Sequence, residues 1–187
     1  MKLALAILLC AAAARAEIAD AKASGFTVKI DVSLHASPAE VYSRIVRVGE
    51  WWSSQHTYSG DARNLSIDDR AMGCFCEKLP NGGTVQHMQV VLARPGKMLR
   101  MYGGLGPLQG IAAAGPMTFD LKSQEGGTRL EFSYSVSGYA PKGIASWANP
   151  VNEVLSAQIA RLKAYVETGS AAAQPGVEPK PERPRAR

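Results

Sequence analysis

The sequence contains no Gly-Lys-Ser/Thr phosphate loop, no His-Glu-x-x-His zinc helix and no nucleophile elbow, so the common nucleotide-binding and hydrolase signatures are absent. Gly103, Gly104 and Gly106 lack the spacing and the strand-to-helix context of a dinucleotide site and read as turn residues. The apolar run from Leu3 to Leu9 is too short to span a bilayer. Cysteine is scarce, with three in the chain, and once Cys10 leaves with the leader described below only Cys74 and Cys76 remain. A charge excess is also missing where it would count. Of the formal +5, Lys2 and Arg15 hold +2 near the start and the last eighteen residues hold +2, leaving about +1 on the folded part. A nearly neutral core argues against a nucleic-acid surface.

The two ends differ from the middle. Residues 1–16 have a basic start at Lys2, the apolar run, and an Ala-Arg-Ala ending at Ala16, the pattern of a secretory signal peptide. Leu9 before Cys10 does not fit a lipoprotein signal, so cleavage is expected near Ala16, with a periplasmic or secreted bacterial chain as the result. Residues 17–25 form an N-terminal extension. Residues 169–187, rich in Ala, Pro and charge, cannot bury enough apolar area to order themselves and read as a disordered basic tail. That tail offers at most a weak contact with an anionic membrane surface.

Between these ends the periodicities are explicit. Phe26, Val28, Ile30, Val32 and Leu34 alternate with polar residues, the period of a half-buried strand. Ser37, Pro38 and Glu40 then supply the cap, first residue and reach-back carboxylate of a capping box, with Gly49 expected to end the helix. Trp51 and Trp52 follow on a short helix or turn. Six more strands are expected at 65–68, 73–79, 84–93, 98–103, 115–122 and 128–137. They are separated by Pro80-Asn81-Gly82-Gly83, Arg94-Pro95-Gly96, the glycine-rich stretch 103–115, read as a mobile connection across the rim, and Glu125-Gly126-Gly127. The chain closes on one long amphipathic helix. Trp147, in a lead-in turn, and Val151, Val154, Leu155, Ile159, Leu162 and Val166 form its stripe, Asn149 and Pro150 mark its start and Gly169 its end. Gln158 interrupts the stripe at its centre, as a core amide or a cavity-lining group.

Several of these runs resemble the SRPBCC superfamily, which includes START-type lipid carriers, polyketide cyclases and homologues of the heat-shock ATPase activator. They are Ser-Pro-Ala-Glu-Val-Tyr at 37–42, Trp51-Trp52, Gly-Cys-Phe-Cys-Glu at 73–77, Arg-Pro-Gly-Lys at 94–97, Gly-Gly-Leu-Gly-Pro-Leu-Gln at 103–109 and Gly-Gly-Thr-Arg-Leu at 126–130. The resemblance covers residues 26–168. It implies an α+β helix-grip fold, a seven-stranded curved antiparallel sheet wrapped around the terminal helix and enclosing an apolar cavity. These marks specify fold better than reaction.

Candidate chemistry centres on the hairpin around Asn81-Gly82. With a two-residue turn Cys76 opposes His87 and shares its face with Cys74, a set of three soft metal ligands. One extra loop residue places Glu77 opposite His87 instead, a carboxylate–imidazole pair suited to proton transfer. A purely structural polar pair is the third reading. The i, i+2 separation of Cys74 and Cys76 on an ideal strand strains a disulfide, which favours free thiols or an oxidisable pair. His56 and Tyr58 lie on a loop that would cover one end of the cavity, and Trp51 and Trp52 serve as core or rim packing. Tyr102, Tyr134 and Gln158 could place polar groups inside. Met88, Val90, Leu92, Met98 and Phe119 are expected to contribute apolar wall. The ligand-binding set expected is therefore Trp51, His56, Tyr58, Glu77, His87, Tyr102 and Gln158, with Glu77 and His87 the catalytic candidates, and with no cofactor expected. These residues suit an exported binder of a hydrophobic or amphipathic small molecule. A cyclase- or dehydratase-like enzyme is the alternative, and a structural or chaperone-related interaction protein the third possibility.

Overall fold

The computed structural model describes residues 15–171. Most of the expected signal peptide (residues 1–14) and of the expected disordered tail (residues 172–187) lies outside the described residues. The chain runs β1 (Arg15–Lys22), β2 (Gly25–Leu34), α1 (Pro38–Val46), α2 (Val48–Trp51), β3 (Leu65–Ile67), β4 (Cys74–Lys78), β5 (Thr84–Arg94), β6 (Met98–Gly103), β7 (Ala112–Gln124), β8 (Gly127–Tyr139) and α3 (Ala148–Thr168). All neighbours in the sheet are antiparallel, in the order β1-β2-β8-β7-β6-β5-β4-β3, and α3 lies in its concave face. This is a helix-grip architecture with eight strands where seven are expected. The additional strand, β1, spans most of the expected N-terminal extension; its side chains stay exposed apart from half-buried Ile18, so no alternation of apolar residues betrays it.

The sequence logic of the remaining elements is visible in their packing. In β2 the alternating set Phe26 to Leu34 is buried and faces α3. Ser37 Oγ accepts the Glu40 N–H at 3.3 Å, so Pro38 begins α1 at a position whose missing N–H has no partner to lose. The helix breaks at Arg47 and not at Gly49, which sits inside α2 because its bare Cα packs against the carbonyls of Ala62 and Leu65. The β7–β8 hairpin turns on Glu125 and Gly126, the latter at φ 76°, a left-handed conformation that glycine adopts without a Cβ clash. β7 begins at Ala112, earlier than the glycine pattern suggests, and a short 3₁₀ turn fills Gly106–Gly110.

In α3 the start shifts by two residues. A 3₁₀ turn at Ile144–Trp147 runs directly into the helix, so Asn149 is helical and Pro150 occupies the first turn, where no intrahelical N–H is needed. Gly169 closes the helix at φ 77°, its N–H bonded to Tyr165 O at 2.9 Å. The C-terminal half packs solidly through Ile159, Leu162, Tyr165 and Val166, and Lys163 Nζ ties it to Ser33 O of β2 at 2.7 Å. The N-terminal half does not: Val151 and Val154 stay only half-buried, because they border a cavity.

Candidate functional site

The cavity has a volume of about 320 Å³, at the small end of the range for ligand pockets, and is partly open to solvent. Its wall is mostly apolar. Leu65 and Phe75 come from the sheet, Val151, Val154 and Leu155 from α3, and Leu105 and Leu108 from the segment before β7. Residues 52–58 roof it, carrying Trp52, Gln55, His56 and Tyr58. This roof is anchored at several points. Trp52 Nε1 donates to His56 O at 2.9 Å, and the Tyr58 hydroxyl donates to Gly106 O at 3.0 Å, latching the roof to the opposite rim. The Ser53 N–H donates to Gln158 Oε1 at 2.8 Å.

The polar centre of the wall is a buried pair. Glu77 Oε2 lies 3.0 Å from His87 Nε2, with both side chains withdrawn from solvent. A β-bulge brings them together. Phe75 pairs with Met88 and Cys76 with Gln86, so His87 is the extra residue on β5 and turns inward beside Met88. Neither register expected for the hairpin occurs, since the loop between Lys78 and Thr84 has five residues and the bulge resets the faces. Glu77 also accepts the backbone N–H groups of Ser59 at 2.5 Å and Tyr58 at 3.2 Å. Burial alone would raise its pKa, but these hydrogen bonds, with the one from His87, outweigh it and hold the carboxyl below its usual range. Burial pushes the His87 imidazole below its ordinary pKa against the opposing pull of Glu77. The pair is therefore a carboxylate and a neutral imidazole at neutral pH. A carboxylate only accepts, so the His87 proton sits on Nε2 and Nδ1 carries a bare lone pair. That Nδ1 is buried without a hydrogen-bond partner. Tyr58 stacks over the imidazole with centroids 5.9 Å apart, and Phe75 lies 4.9 Å from it.

The expected site residues are sorted by this geometry. His56, Tyr58 and His87 line the cavity, and Glu77 stands behind His87. Trp51 does not reach it: the ring is fully buried, its N–H donates to Ile45 O at 3.2 Å, and Trp52 beside it takes the lining position. Tyr102 is about half exposed on the opposite face of the sheet and contributes nothing inside. Gln158 is a core amide away from the wall, holding Ser53. Tyr134 does line the cavity, but its hydroxyl is engaged, donating to Gly103 O and accepting from Leu105 N, and burial pushes its pKa up to about 12. Met88, Val90 and Phe119 are packed in the core, and neither Leu92 nor Met98 borders the cavity. The three-ligand metal alternative fails because Cys74 and Cys76 lie on the strand face opposite Phe75 and Glu77 and are joined in a disulfide with Cα atoms 5.4 Å apart. Among the lining residues that sequence reasoning missed, Leu105 and Leu108 gave no signal beyond being apolar in a connecting segment, whereas Trp147 belongs to the expected stripe.

No protein-family model matches the chain, and no curated protein matches it either. Solved structures do. A conserved protein of unknown function from Enterococcus faecalis superposes with a TM-score of 0.53 at 20% identity over 88% of this chain and 82% of its own. The Aha1 dimer from Colwellia psychrerythraea gives 0.54 at 17% identity, covering 76% of this chain and 97% of that one. A protein of unknown function from Staphylococcus aureus gives 0.56 at 14% identity over 78% and 95%. At these identities the likeness is one of fold. Among the described residues, no helix is long and apolar enough to cross a membrane.

Proposed function

We propose that the chain is an exported protein of the SRPBCC superfamily that binds a hydrophobic or amphipathic small molecule in the cavity between the sheet and the first half of α3. One observation carries this reading. The apolar stripe of α3 runs through its first half, yet Val151 and Val154 face about 320 Å³ of space instead of a packed core, and the roof over that space is held by the Tyr58–Gly106 and Ser53–Gln158 hydrogen bonds. The signal-like start of the sequence supports export.

The experiment is native mass spectrometry of the protein isolated from its own periplasmic fraction, followed by solvent extraction of bound molecules and N-terminal sequencing. A co-purifying apolar compound and a new N-terminus near Ala16 are expected. Absence of any ligand together with no saturable uptake from a panel of apolar compounds would sink the binding reading, and an intact Met1 would sink export.

The Glu77–His87 pair keeps a second reading in play, an enzyme in which the oriented imidazole exchanges a proton with the bound molecule. Turnover that disappears in Glu77→Gln, with folding and ligand uptake intact, would favour it.

A further inference from the structure

We infer that the Cys74–Cys76 bridge is a thiol–disulfide exchange site that passes its disulfide to a cysteine-bearing peptide lying in the groove beside it. The site is on the outer face of the sheet, away from the cavity, and does not depend on the binding reading.

The bridge is suited to exchange more than to support. It spans a single intervening residue, so closing it removes little freedom from the unfolded chain. Both cysteines keep part of their surface in solvent, on the face of β4 opposite buried Phe75 and Glu77. Exposed bridges of this kind are the labile ones. The surroundings give the two sulfurs different roles. Cys76 pairs with Ser66 on β3 and with Gln86 on β5, and Lys78 follows two residues later on the same face of β4, so a thiolate at Cys76 is bordered by hydroxyl and amide donors and a cation. Cys74 instead neighbours Asp68, whose N–H donates to Cys74 O at 3.0 Å and whose carboxylate is paired with Arg70 Nη2 at 2.8 Å. Cys76 is therefore the better leaving group and Cys74 the sulfur attacked.

The groove defines the substrate. Gln86 and Gln89, the cross-strand neighbours of Cys76 and Cys74, also line an open groove of about 740 Å³ together with Tyr102, Gln109 and Ser137. Amide and hydroxyl groups around a half-exposed aromatic ring suit the backbone and side chains of an extended peptide. Among the described residues, no charged side chain lines the groove, so the peptide segment that fits is an uncharged one. In the reaction a peptide thiolate attacks Cys74 Sγ, the bond between the two cysteines breaks, and Cys76 leaves as a thiolate. The second peptide thiolate then attacks the peptide sulfur of the mixed disulfide and releases Cys74 as a thiolate. The peptide is oxidised to its own disulfide, the pair is reduced, and the two protons lost by the peptide thiols are balanced by those that Cys74 and Cys76 take up.

The test is single-turnover exchange on the oxidised full chain, followed by alkylation of free thiols and mass spectrometry. The probes are a reduced, uncharged peptide with two cysteines, its single-cysteine analogue and glutathione, compared at equal thiolate concentration. One disulfide per chain should pass to the two-cysteine peptide, and the analogue should be trapped on Cys74. Both peptides should react about tenfold or more faster than glutathione, because the groove holds them beside the sulfur. Tyr102→Thr, which keeps a strand-favouring residue at an exposed position, should bring the peptide rates down to that of glutathione and leave the glutathione rate unchanged. A bridge that stays closed in the native chain under excess peptide and opens only in denaturant overturns the inference. So does a peptide rate no greater than that of glutathione, or trapping of the analogue on Cys76. The wild-type rates decide the matter even if the variant does not fold.

Discussion

Gln158 Oε1 accepts the Ser53 backbone N–H at 2.8 Å, linking the middle of the terminal helix to the start of the cavity roof. The bond fixes which end of the amide is which, because a backbone N–H can only donate. It also leaves Gln158 Nε2 buried without a partner. The polar interruption of the α3 stripe is thus a tether for the roof.

Replacing Gln158 by Met should release that tether with little change in global stability. Loss of the hydrogen bond, about 1 kcal/mol, is offset by removal of the unpartnered amide nitrogen. The readout is hydrogen exchange: the Ser53 amide should exchange faster in the variant, while the amides of β8 keep their protection. Unchanged exchange at Ser53 would show that the roof is held by other contacts.

Acid should destabilise the fold in two steps. Burial holds the His87 pKa in the folded chain below the ordinary 6.5, so the unfolded chain takes up a proton first and stability falls as pH drops below about 6.5 toward the folded value. Glu77, held by its hydrogen bonds below the ordinary 4.5, contributes stability that is present above 4.5 and lost as pH falls through its folded pKa. His56 is also lowered by burial and acts in the first step. Urea denaturation between pH 8 and pH 4 should therefore show a plateau followed by a decline, a range chosen to bracket about two units on either side of a free imidazole. His87→Phe should flatten the upper part of the decline more than His56→Gln does. An equal slope in the His87 variant would mean that the imidazole is already charged in the folded state.

Reduction of the Cys74–Cys76 disulfide should lower stability only modestly. The bridge closes a ring of very few residues, for which chain entropy gives roughly 1–2 kcal/mol. Because both sulfurs lie on the face of β4 opposite Phe75 and Glu77, ligand uptake should survive reduction. Chemical denaturation and dialysis binding, each with and without a phosphine reductant, check the two halves. Loss of uptake on reduction would show that the bridge also holds the bulge at His87.

Much of this fold can be read from periodicity. The alternation in β2, the Ser37-Pro38 start of α1, the glycine turns and the α3 stripe all lie where the side-chain pattern puts them, since each is a local rule repeated over many residues. The site is less legible. That Glu77 and His87 sit on facing arms of one hairpin is visible in sequence, but the bulge that aims both inward depends on how β5 meets its neighbours. The cysteine spacing misleads for a related reason. An ideal strand separates i and i+2 by roughly 6.6 Å, whereas next to the bulge the two Cα atoms stand 5.4 Å apart, within reach of a disulfide. Tyr102 and Tyr134 both lie on strands, and only the register decides which of them faces inward.

Strand β1 contributes little to the interior, yet it covers one edge of the sheet. Beyond it lies β2, whose inner face is wholly apolar and whose backbone, if bare, would present a row of unpaired amides for a second chain to copy. β1 occupies that row and puts a strand of mixed charge, Glu17, Asp20 and Lys22, at the margin, with an irregularity near Ala19 that breaks its straightness. It acts as a guard strand, held by main-chain pairing, with Ile18 packed against the core. The expected processing point near Ala16 falls on its second residue. A cut there leaves the guard in place; a cut a few residues later would leave a folded domain with an adhesive edge.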